Sequence, residues 1–398
     1  MARPVARLMT QMALVVGLTA AGACFNGNAT VGAVCRRSSD CGGGQTCDNE
    51  ICGLCGDGES QPGELCFREG QRIELGLVGG LIRPQDVDRD GMLDLVGLQP
   101  GLSELTVLRG DNGTFEDPES VALPGPADLL AVGDLDSDET VDAVTANGDT
   151  LRFGAGSGAL VFSFGTGGLE WGPTTALLFV PASEETTPFV AASRPIADSR
   201  TEVAALEVGA DGVLRIGVSV SLPGTVVPLA AAQLANGGAL EVALAGGSQL
   251  YLRSGRAMTA VAELAFEAQI ATVALVDANG DGTRDVLTAD VLGNVVLDVG
   301  HGDGTFSRRE PFVVAASPRA LIVADLDRDG DRDIAVASAS AGLVLALARG
   351  TQVSDIVALP GPSAVADVLV ANLNGDVLPE LIVWDAESGA VVVLEVDP

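Results

Sequence analysis

After residue 70, the chain alternates short apolar runs with turns that are rich in glycine, aspartate and proline. Runs such as DLLAV, LIVA and VVVLEV are nearly continuous in apolar residues, which is typical of central strands that are covered on both faces. The pattern shows no helical periodicity. It therefore predicts an all-β segment and excludes a helical solenoid.

The strands recur with a period of about 45 residues, and such repeats determine the fold class. The repeats align on an acidic loop that begins at residues 86, 134, 194, 233, 277, 325 and 372. Five units are clear, whereas those at 194 and 233 are identified mainly by spacing and by their terminal Glu202 and Glu241. Four short strands per repeat and seven repeats predict a seven-bladed β-propeller. A parallel β-helix is the alternative, but its rungs are far shorter than this period.

The two ends of the repeat array predict a closed ring. The last unit ends in AVVVLEVDP and lacks a fourth strand, whereas residues 72–79 form a strand without a blade of its own. We therefore expect residues 72–79 to complete blade seven. This arrangement satisfies the open edge of the sheet and ties the ends of the array together.

The acidic loops carry the strongest chemical signal. Residues 325–336, DLDRDGDRDIAV, place five aspartates at alternating positions. Two carboxylates about 4 Å apart repel by roughly 4 kcal/mol at an effective dielectric constant near 20, so a folded loop of this kind needs a cation. In the complete loops, positions one, three and five are acidic or amide, position six is glycine and position nine is aspartate. Side chains in this order suit calcium, which takes six to eight oxygen ligands.

An EF-hand begins with a similar pattern but needs a bidentate glutamate at position twelve and two flanking helices. The complete loops at 86, 277 and 325 carry Gly97, Thr288 and Val336 at that position, and no helical pattern flanks them. An EF-hand is therefore excluded.

The pattern DxDxDGxxD before an apolar strand, with GDGTF at 302–306 and GDNGTF at 110–115, resembles the FG-GAP or VCBS repeats of integrin-α-like seven-bladed propellers. The resemblance covers residues 71–398 and implies that the loop between the first two strands of a blade binds calcium. The ligands that it implies are Asp86, Asp88, Asp90, Asp94, Asp134, Asp136, Asp138, Asp142, Asp277, Asn279, Asp281, Asp285, Asp325, Asp327, Asp329, Asp333, Asn372, Asn374, Asp376 and Glu380. We expect three to five calcium ions in a structural role.

The loops differ in how well they match. The loop at 134 has Glu139 where glycine is usual, which predicts a strained turn. The loop at 372 carries less charge, which predicts weaker binding. The units at 194 and 233 lack the ligands and are expected to be free of metal.

The N-terminal residues predict export. Residues 1–23 place Arg3 and Arg7 before an apolar stretch and small residues, which is the plan of a secretory signal. Cleavage before Cys24 fits an ordinary signal and also resembles a bacterial lipoprotein box, although Ala21 replaces the usual leucine. We expect lipidation of Cys24 and a location at the outer membrane or cell surface; a secreted or periplasmic protein is the alternative.

The parity of the cysteines favours the lipid anchor. With Cys24 lipidated, six cysteines remain, enough for three disulfides without an orphan thiol. Residues 24–34 are then a linker, residues 35–66 a disulfide-rich stalk and residues 71–398 the propeller. A zinc site at Cys52 and Cys55 is the alternative, but no histidine lies nearby. Residues 55–66, CGDGESQPGELC, resemble the opening of a cysteine-rich repeat of secreted bacterial proteins, which implies a spacer.

The composition limits the function. The 22 basic residues are all arginine, the 54 acidic residues bring the net charge to −32, and His301 is the single histidine. This charge excludes nucleic acid as a partner, and no later apolar run is long enough to span a membrane, so the membrane is reached only through the lipid anchor. We expect a monomeric, non-enzymatic interaction or adhesion scaffold for a protein or glycan ligand. A carbohydrate-binding or polysaccharide-processing protein is the alternative.

Three further features have simple structural interpretations. The tripeptide RGD at 109–111 lies where the repeat requires a Gly-Asp turn. His301 lies in the matching turn of a later unit, without identifiable catalytic partners. Trp171, Trp384 and Tyr251 are isolated aromatic residues, which are expected to pack between blades rather than stack on sugar.

Overall fold

The computed structural model describes residues 24–26, 46–48, 51–53, 64–165, 167–234, 238–326, 330–349, 352–359, 362–373 and 380–396. The regular secondary structure within these residues consists entirely of β-strands. Across the same ranges, no helix has the length and apolar character needed to cross a membrane. The expected signal peptide, most of the linker and most of the stalk lie outside the described residues.

Four strands precede the first blade. They are β1 (Cys24–Asn26), β2 (Thr46–Asp48), β3 (Ile51–Gly53) and β4 (Glu64–Glu74). Strand β1 pairs with β4 and β2 pairs with β3, so the backbone of Cys24 lies opposite that of Cys66, and that of Cys47 opposite that of Cys52. A cysteine that carries lipid cannot also form a disulfide, so lipidation of Cys24 would leave Cys66 to pair elsewhere.

Seven antiparallel sheets follow one another around the ring. Blade one contains β5 (Leu81–Gln85), β6 (Asp94–Leu98), β7 (Leu102–Leu108), the hairpin β8 (Gly110–Asp111) and β9 (Thr114–Phe115), and β10 (Glu119–Ala127). Blade two contains β11 (Leu129–Gly133), β12 (Asp142–Asn147), β13 (Thr150–Gly156), β14 (Phe162–Phe164) and β15 (Leu169–Glu170). Blade three contains β16 (Ala176–Val180), β17 (Phe189–Ile196), β18 (Arg200–Val208) and β19 (Leu214–Pro223).

The second half of the ring repeats this plan. Blade four contains β20 (Val227–Ala232), β21 (Glu241–Gly246), β22 (Gln249–Ser254) and β23 (Thr259–Ala265). Blade five contains β24 (Ile270–Val276), β25 (Asp285–Asp290), β26 (Asn294–Gly300), β27 (Phe306–Arg308) and β28 (Phe312–Val313). Blade six contains β29 (Pro318–Ala324), β30 (Asp333–Ser338), β31 (Gly342–Arg349) and β32 (Gln352–Ala358), and blade seven contains β33 (Asp367–Ala371), β34 (Glu380–Asp385) and β35 (Ala390–Val396) together with β4. The prediction of an all-β, seven-bladed propeller is confirmed.

The burial of the strands explains the apolar runs in the sequence. The first strand of each blade lies innermost and the second lies beside it. Strands β6, β30 and β34 are second strands, and they are buried at every residue because sheet packs on both of their faces. Outer strands such as β10 alternate between buried and exposed residues instead.

The core is divided among the junctions between blades. The described residues form seven apolar clusters, one at each junction of neighbouring blades. Each fully buried leucine or valine contributes about 1.5–3 kcal/mol relative to an exposed one. Packing of blade against blade therefore holds the ring together.

The ring closes through blade seven, as the sequence predicts. Strand β4 pairs with β35, from Glu74 opposite Ala390 to Phe67 opposite Val396. Trp384 is 1% exposed, and its Nε1 donates a hydrogen bond to the Gly80 carbonyl, 3.2 Å away, at the junction of blades seven and one. The closing strand runs over Glu64–Glu74 rather than residues 72–79, so the propeller sheet also begins before residue 71.

The predicted loop of blade three is wrong in its position. Residues 194–202 cover the turn between β17 and β18, whereas the loop after the innermost strand begins at residue 181, 47 residues after the loop at 134. Phe189 occupies position nine there, and the acidic residues of the loop, Glu184 and Glu185, are adjacent rather than alternating, so the motif is absent. Glu202, which suggested the alignment, instead accepts a hydrogen bond from Nε of Arg194 over 2.8 Å.

Candidate functional site

The acidic loops share one location on the ring. In blades one, two, five and six, each loop follows the innermost strand and ends where the second strand begins. Because the inner strands of a propeller all run in the same direction along its axis, these loops lie on one face. The sequence-predicted ligands are thus brought together loop by loop rather than in one centre.

Among the described residues, groups of three carboxylates converge in the loops of blades one and two. One oxygen each from Asp86, Asp88 and Asp94 lie within 4.8 Å of one another. One oxygen each from Asp134, Asp136 and Asp138 do the same in blade two. At an effective dielectric constant of 20, each pair of charges at this distance repels by roughly 3 kcal/mol. A cation between the carboxylates would remove this repulsion.

The first aspartate of each loop organises the backbone around it. Asp86 accepts hydrogen bonds from the N–H groups of Arg89 and Gly91, over 2.7 and 3.0 Å. Asp277 accepts the same kind of bonds from Gly280 and Gly282, over 2.7 and 3.0 Å. Gly91 has a φ of 89°, in the left-handed region that glycine adopts without steric cost. The glycine at position six therefore lets the turn wrap around its first carboxylate.

The acidic loop of blade two lacks this glycine and forms an ion pair with the loop of blade one. Glu139 has a φ of 70°, which costs roughly 1–2 kcal/mol for a residue with a Cβ atom, so the strain predicted at this position is present. Its carboxylate accepts a hydrogen bond from Nη2 of Arg89 over 2.8 Å. This ion pair connects the acidic loops of blades one and two.

The position-nine aspartates are buried and bound to backbone on both sides. In blade one, Asp94 accepts the N–H of Val87 on Oδ2 over 2.7 Å and the N–H of Gly110 on Oδ1 over 2.8 Å. The same two bonds recur at Asp142 from Leu135 and Gly156, at Asp285 from Ala278 and Gly300, and at Asp333 from Leu326 and Ala348. These carboxylates therefore fasten the acidic loop to the end of the third strand, a role that ligand spacing alone did not suggest.

Glutamate serves the same purpose in two other blades. Glu241 accepts the N–H of Leu234 over 2.8 Å in blade four, and Glu380 accepts that of Leu373 over 2.8 Å in blade seven. Blade four thus keeps the structural acid even though its loop carries no other predicted ligand.

Burial changes the acidity of these groups. It raises the pKa of Asp142 to about 6, although the N–H groups of Gly156 and Leu135 favour the ionised form. Burial likewise raises the pKa of Asp94 and of Asp285. The pKa of Asp136 is also raised, first by burial and then by the charge of Asp138. Carboxylates with raised pKa values favour a nearby cation, because a cation stabilises their ionised forms.

The loops of blades six and seven are described in part. In blade six, Oδ1 of Asp325 is buried and has no hydrogen-bond partner among the described residues, whereas its Oδ2 accepts the N–H of Gly330 over 3.2 Å. The predicted ligands Asp327 and Asp329 lie outside the described residues, as do Asn374 and Asp376 of blade seven. The orphaned oxygen of Asp325 is an acceptor that a cation would satisfy.

The RGD tripeptide lies beside the acidic loop of blade one and contacts it. Nε of Arg109 lies 3.1 Å from Oδ2 of Asp88, and Gly110 donates to Asp94. Asp111 lies in the hairpin of β8 and β9. The arginine is therefore turned onto the protein's own aspartate.

The remaining residues with chemical potential are dispersed. His301 is exposed, and its Nε2 lies 2.7 Å from Oγ of Ser307. Trp171, Trp384 and Tyr251 are buried between blades, with exposed fractions of 6, 1 and 6%, as the sequence predicts. These three aromatic rings offer no face on which a sugar could stack.

Comparison with known proteins agrees with the loop geometry. Residues 86–145 and 277–336 match the FG-GAP-like repeat family. The chain is an FG-GAP repeat propeller. Both matched segments of the FG-GAP propeller begin at the first aspartate of an acidic loop and end in the second strand of the next blade. They therefore cover the loops of blades one, two, five and six, in which the ligand pattern is clearest.

Solved structures share the fold of this FG-GAP propeller. BBS1N in complex with ARL6DN has a TM-score of 0.58 for the crystal soaked with lead, at 12% identity, covering 83% of this chain and 97% of that chain. Sqt1 from Saccharomyces cerevisiae has a TM-score of 0.55 at 11% identity, covering 83% of this chain and 99% of that chain. At such identity the similarity concerns the fold alone. No curated protein matches the chain in sequence.

Proposed function

We propose that this FG-GAP propeller is a calcium-binding, non-enzymatic interaction scaffold that works outside the cytoplasm. The observation that carries the proposal is the convergence of three carboxylates within 4.8 Å in each of the first two loops. A folded loop keeps such charges together at a cost of several kcal/mol unless a cation neutralises them.

The donor set suits calcium in particular. The loops offer carboxylate and amide oxygens and backbone carbonyls, without thiol or imidazole, and hard cations such as calcium prefer oxygen ligands. The buried, unpartnered Oδ1 of Asp325 supports the same assignment in blade six. We assign sites to blades one, two, five and six, and a weaker site to blade seven.

The loops of blades three and four differ from the acidic loops of the other blades. The loop of blade three begins with Pro181 and carries Phe189 at position nine, and that of blade four begins with Gln233. These loops lack the alternating carboxylates, so both blades are assigned no calcium. They leave part of the ring for contacts that do not involve metal.

A structural role for calcium favours a scaffold over an enzyme. Calcium at these loops would neutralise the repulsion of the carboxylates and hold each loop against its blade. His301 is exposed and lines neither of the grooves described below, so we assign it no catalytic role. The similar solved structure of BBS1N was crystallised with ARL6DN, which supports protein binding as a use of this fold. Cys24, if lipidated, would hold the scaffold at a membrane surface.

One cavity favours carbohydrate binding as the second function. In blade five, a cavity of about 210 Å³ is lined by Phe266 together with polar Thr288, Asp290 and Asn294. An aromatic ring beside several hydrogen-bonding groups is a common arrangement for a small polar ligand. Binding to a glycan array that is lost in the Asn294→Ala variant would favour this alternative.

Native mass spectrometry of the purified protein tests the calcium assignment directly. We expect three to five bound calcium ions per chain at millimolar calcium, and one ion fewer in an Asp281→Ala variant. An Asp303→Ala variant is the matched control, because Asp303 lies outside the acidic loop. A chain that retains no calcium under these conditions would contradict the proposal.

A further inference from the structure

Two blades of the ring have a divided outer strand. Blade two ends in the short strands β14 and β15, and blade five ends in β27 and β28, all of which pair with the third strand of their blade. Each division leaves a cavity between that blade and the next. The cavity between blades five and six, the 5/6 groove, and that between blades two and three, the 2/3 groove, each measure about 410 Å³.

The 5/6 groove has an apolar floor and charged walls, on which two arginines outnumber one acidic residue, Glu310. Leu297 and Phe312 of blade five and Ile334 and Val353 of blade six contribute apolar side chains to it. The guanidinium-bearing residues Arg309 and Arg332 line it from opposite blades and are exposed. A volume of this size lies within the range of about 300–1,000 Å³ that is usual for ligand sites.

Within the described part of the chain, these two arginines, like Arg152 and Arg319, pair with no carboxylate. With 54 acidic and 22 basic residues, most arginines should find a carboxylate. The adjacent Arg308 does so, because its Nε and Nη2 donate to both oxygens of Asp298 over 2.8 Å each. Among the described residues, Arg309 and Arg332 make no side-chain hydrogen bond or ion pair. Their donors are therefore available to a partner.

The 2/3 groove has the same size as the 5/6 groove but a different charge. It has the same volume, but Asp136, Ser163, Gly165 and Gly212 are among its lining residues, and no arginine lines it. A divided outer strand thus produces the cavity in both places. The positive charge is a separate feature of the 5/6 groove, which the architecture does not require.

We propose that the 5/6 groove binds an extended acidic peptide segment of a protein partner. An apolar side chain of the peptide lies on the floor, and flanking carboxylates bind Arg309 and Arg332. A peptide fits better than a glycan, because Asn279 is the one uncharged polar side chain among the lining residues, whereas a sugar needs many such hydrogen-bond partners. The two arginines outnumber Glu310 in the groove, and charges beyond about 8 Å are largely screened at physiological ionic strength, so the groove keeps a local excess of positive charge.

Fluorescence polarisation with the full chain tests this site. The probe is the fluorescein-labelled peptide Asp-Glu-Leu-Phe-Asp-Glu, titrated in calcium-containing buffer at physiological salt. We expect saturable binding that is weakened about tenfold in an Arg309→Gln, Arg332→Gln double variant, since each exposed ion pair contributes up to about 1 kcal/mol. The matched control is an Arg152→Gln, Arg319→Gln double variant, which changes the net charge equally at arginines outside the groove and should bind as the unmodified protein does.

A charge exchange provides the second arm. The Arg309→Glu, Arg332→Glu variant should bind the peptide Lys-Lys-Leu-Phe-Lys-Lys and lose the acidic one. The groove shares Asn279 with the predicted calcium ligands of blade five, so calcium binding is measured separately by native mass spectrometry. Failure of peptide binding with calcium still bound overturns this proposal alone, and peptide binding by a chain that holds no calcium overturns the calcium proposal alone.

Several results would overturn the proposal. Equal affinity in the two double glutamine variants would show that the groove is not the binding site, and absence of binding at millimolar peptide would refute it. Displacement of the peptide by an oligouronate but not by unlabelled peptide would make the site a glycan site. A dimer in sedimentation that disappears in the Arg309→Gln, Arg332→Gln variant would make a second copy of the chain the occupant.

Discussion

Gly110 donates its backbone N–H to Oδ1 of Asp94 over 2.8 Å, and so ties the acidic loop of blade one to the end of its third strand. The same bond recurs at Asp142, Asp285 and Asp333. The last acidic residue of the loop motif therefore stabilises the blade itself. The earlier acidic residues are half-buried or exposed around the turn and are the ones whose charge depends most on a cation.

The different roles of position nine and of the earlier acidic residues predict different effects for two variants in blade five. Asp285→Ala leaves the buried N–H groups of Ala278 and Gly300 without acceptors, which should lower the free energy of unfolding by about 3 kcal/mol both with calcium and with chelator. Asp281→Ala changes an exposed side chain and should lower the free energy of unfolding only when calcium is present. Urea denaturation under both conditions measures the difference. Equal dependence of both variants on calcium would refute the structural role of position nine.

The pH dependence of the calcium-free protein follows from Asp142. Its pKa is raised to about 6 in the folded protein, against 3.8 as the ordinary value, so the folded state favours the protonated form. Stability from this group is fully present below pH 4 and is lost as the pH rises through 6, by up to about 3 kcal/mol. In chelator, urea denaturation between pH 4 and 7 should show this loss in the unmodified protein and a smaller one in Asp142→Asn. The same slope in both proteins would contradict the assignment.

The acidic loops show what sequence reasoning can reach. The seven blades, the all-β fold and the closure through blade seven follow from apolar runs, turn residues and a regular period, and the structure confirms them. The loops at 86, 134, 277, 325 and 372 were placed correctly because alternating carboxylates mark them. In blade three the carboxylates do not alternate and Phe189 stands at position nine, so Glu202 attracts the alignment, although the period of the other repeats leads to residue 181.

Other features depend on three-dimensional contacts that no motif records. The backbone partners of Asp94 include Gly110, which lies 16 residues away on another strand. Arg89 and Glu139 lie in different blades and meet because the ring places their loops side by side. The grooves arise where an outer strand is interrupted, and strand interruptions of a few residues are not visible in an apolar pattern. These relationships required the structure.

Two half-buried, oppositely charged residues at the ring closure yield a third prediction. Arg83 on β5 and Asp367 on β33 lie on the innermost strands of blades one and seven. Burial lowers the pKa of Arg83 and raises that of Asp367, while the charge of each partner opposes the shift. Arg83→Met should therefore destabilise the fold by about 2 kcal/mol, because it leaves the carboxylate enclosed without a cation.

The double variant completes this test. Adding Asp367→Asn to Arg83→Met removes the uncompensated charge and should restore most of the lost stability in urea denaturation. Additive losses in the two single variants and the double variant would show that the two groups do not interact.

The anchor prediction concerns Cys24. Export with lipidation predicts a mature chain that begins at Cys24, carries acyl groups in intact mass spectrometry and sediments with membranes. Cys24→Ser should abolish acylation and release the protein from the membrane fraction. A mature chain with unmodified Cys24 would contradict the lipid anchor and would leave this cysteine free to pair with another, such as Cys66, its backbone neighbour in β4.

Thermal unfolding of the full chain in millimolar calcium and in excess chelator tests the central claim most directly. Three or more sites filled well above their dissociation constants add several kcal/mol to the folded state, so the account predicts a Tm higher by about 10 °C or more in calcium. Magnesium at the same concentration is the control for ionic strength and should raise the Tm much less. Equal Tm values in calcium and in chelator would show that the acidic loops hold no metal that matters to the fold, and would contradict the account.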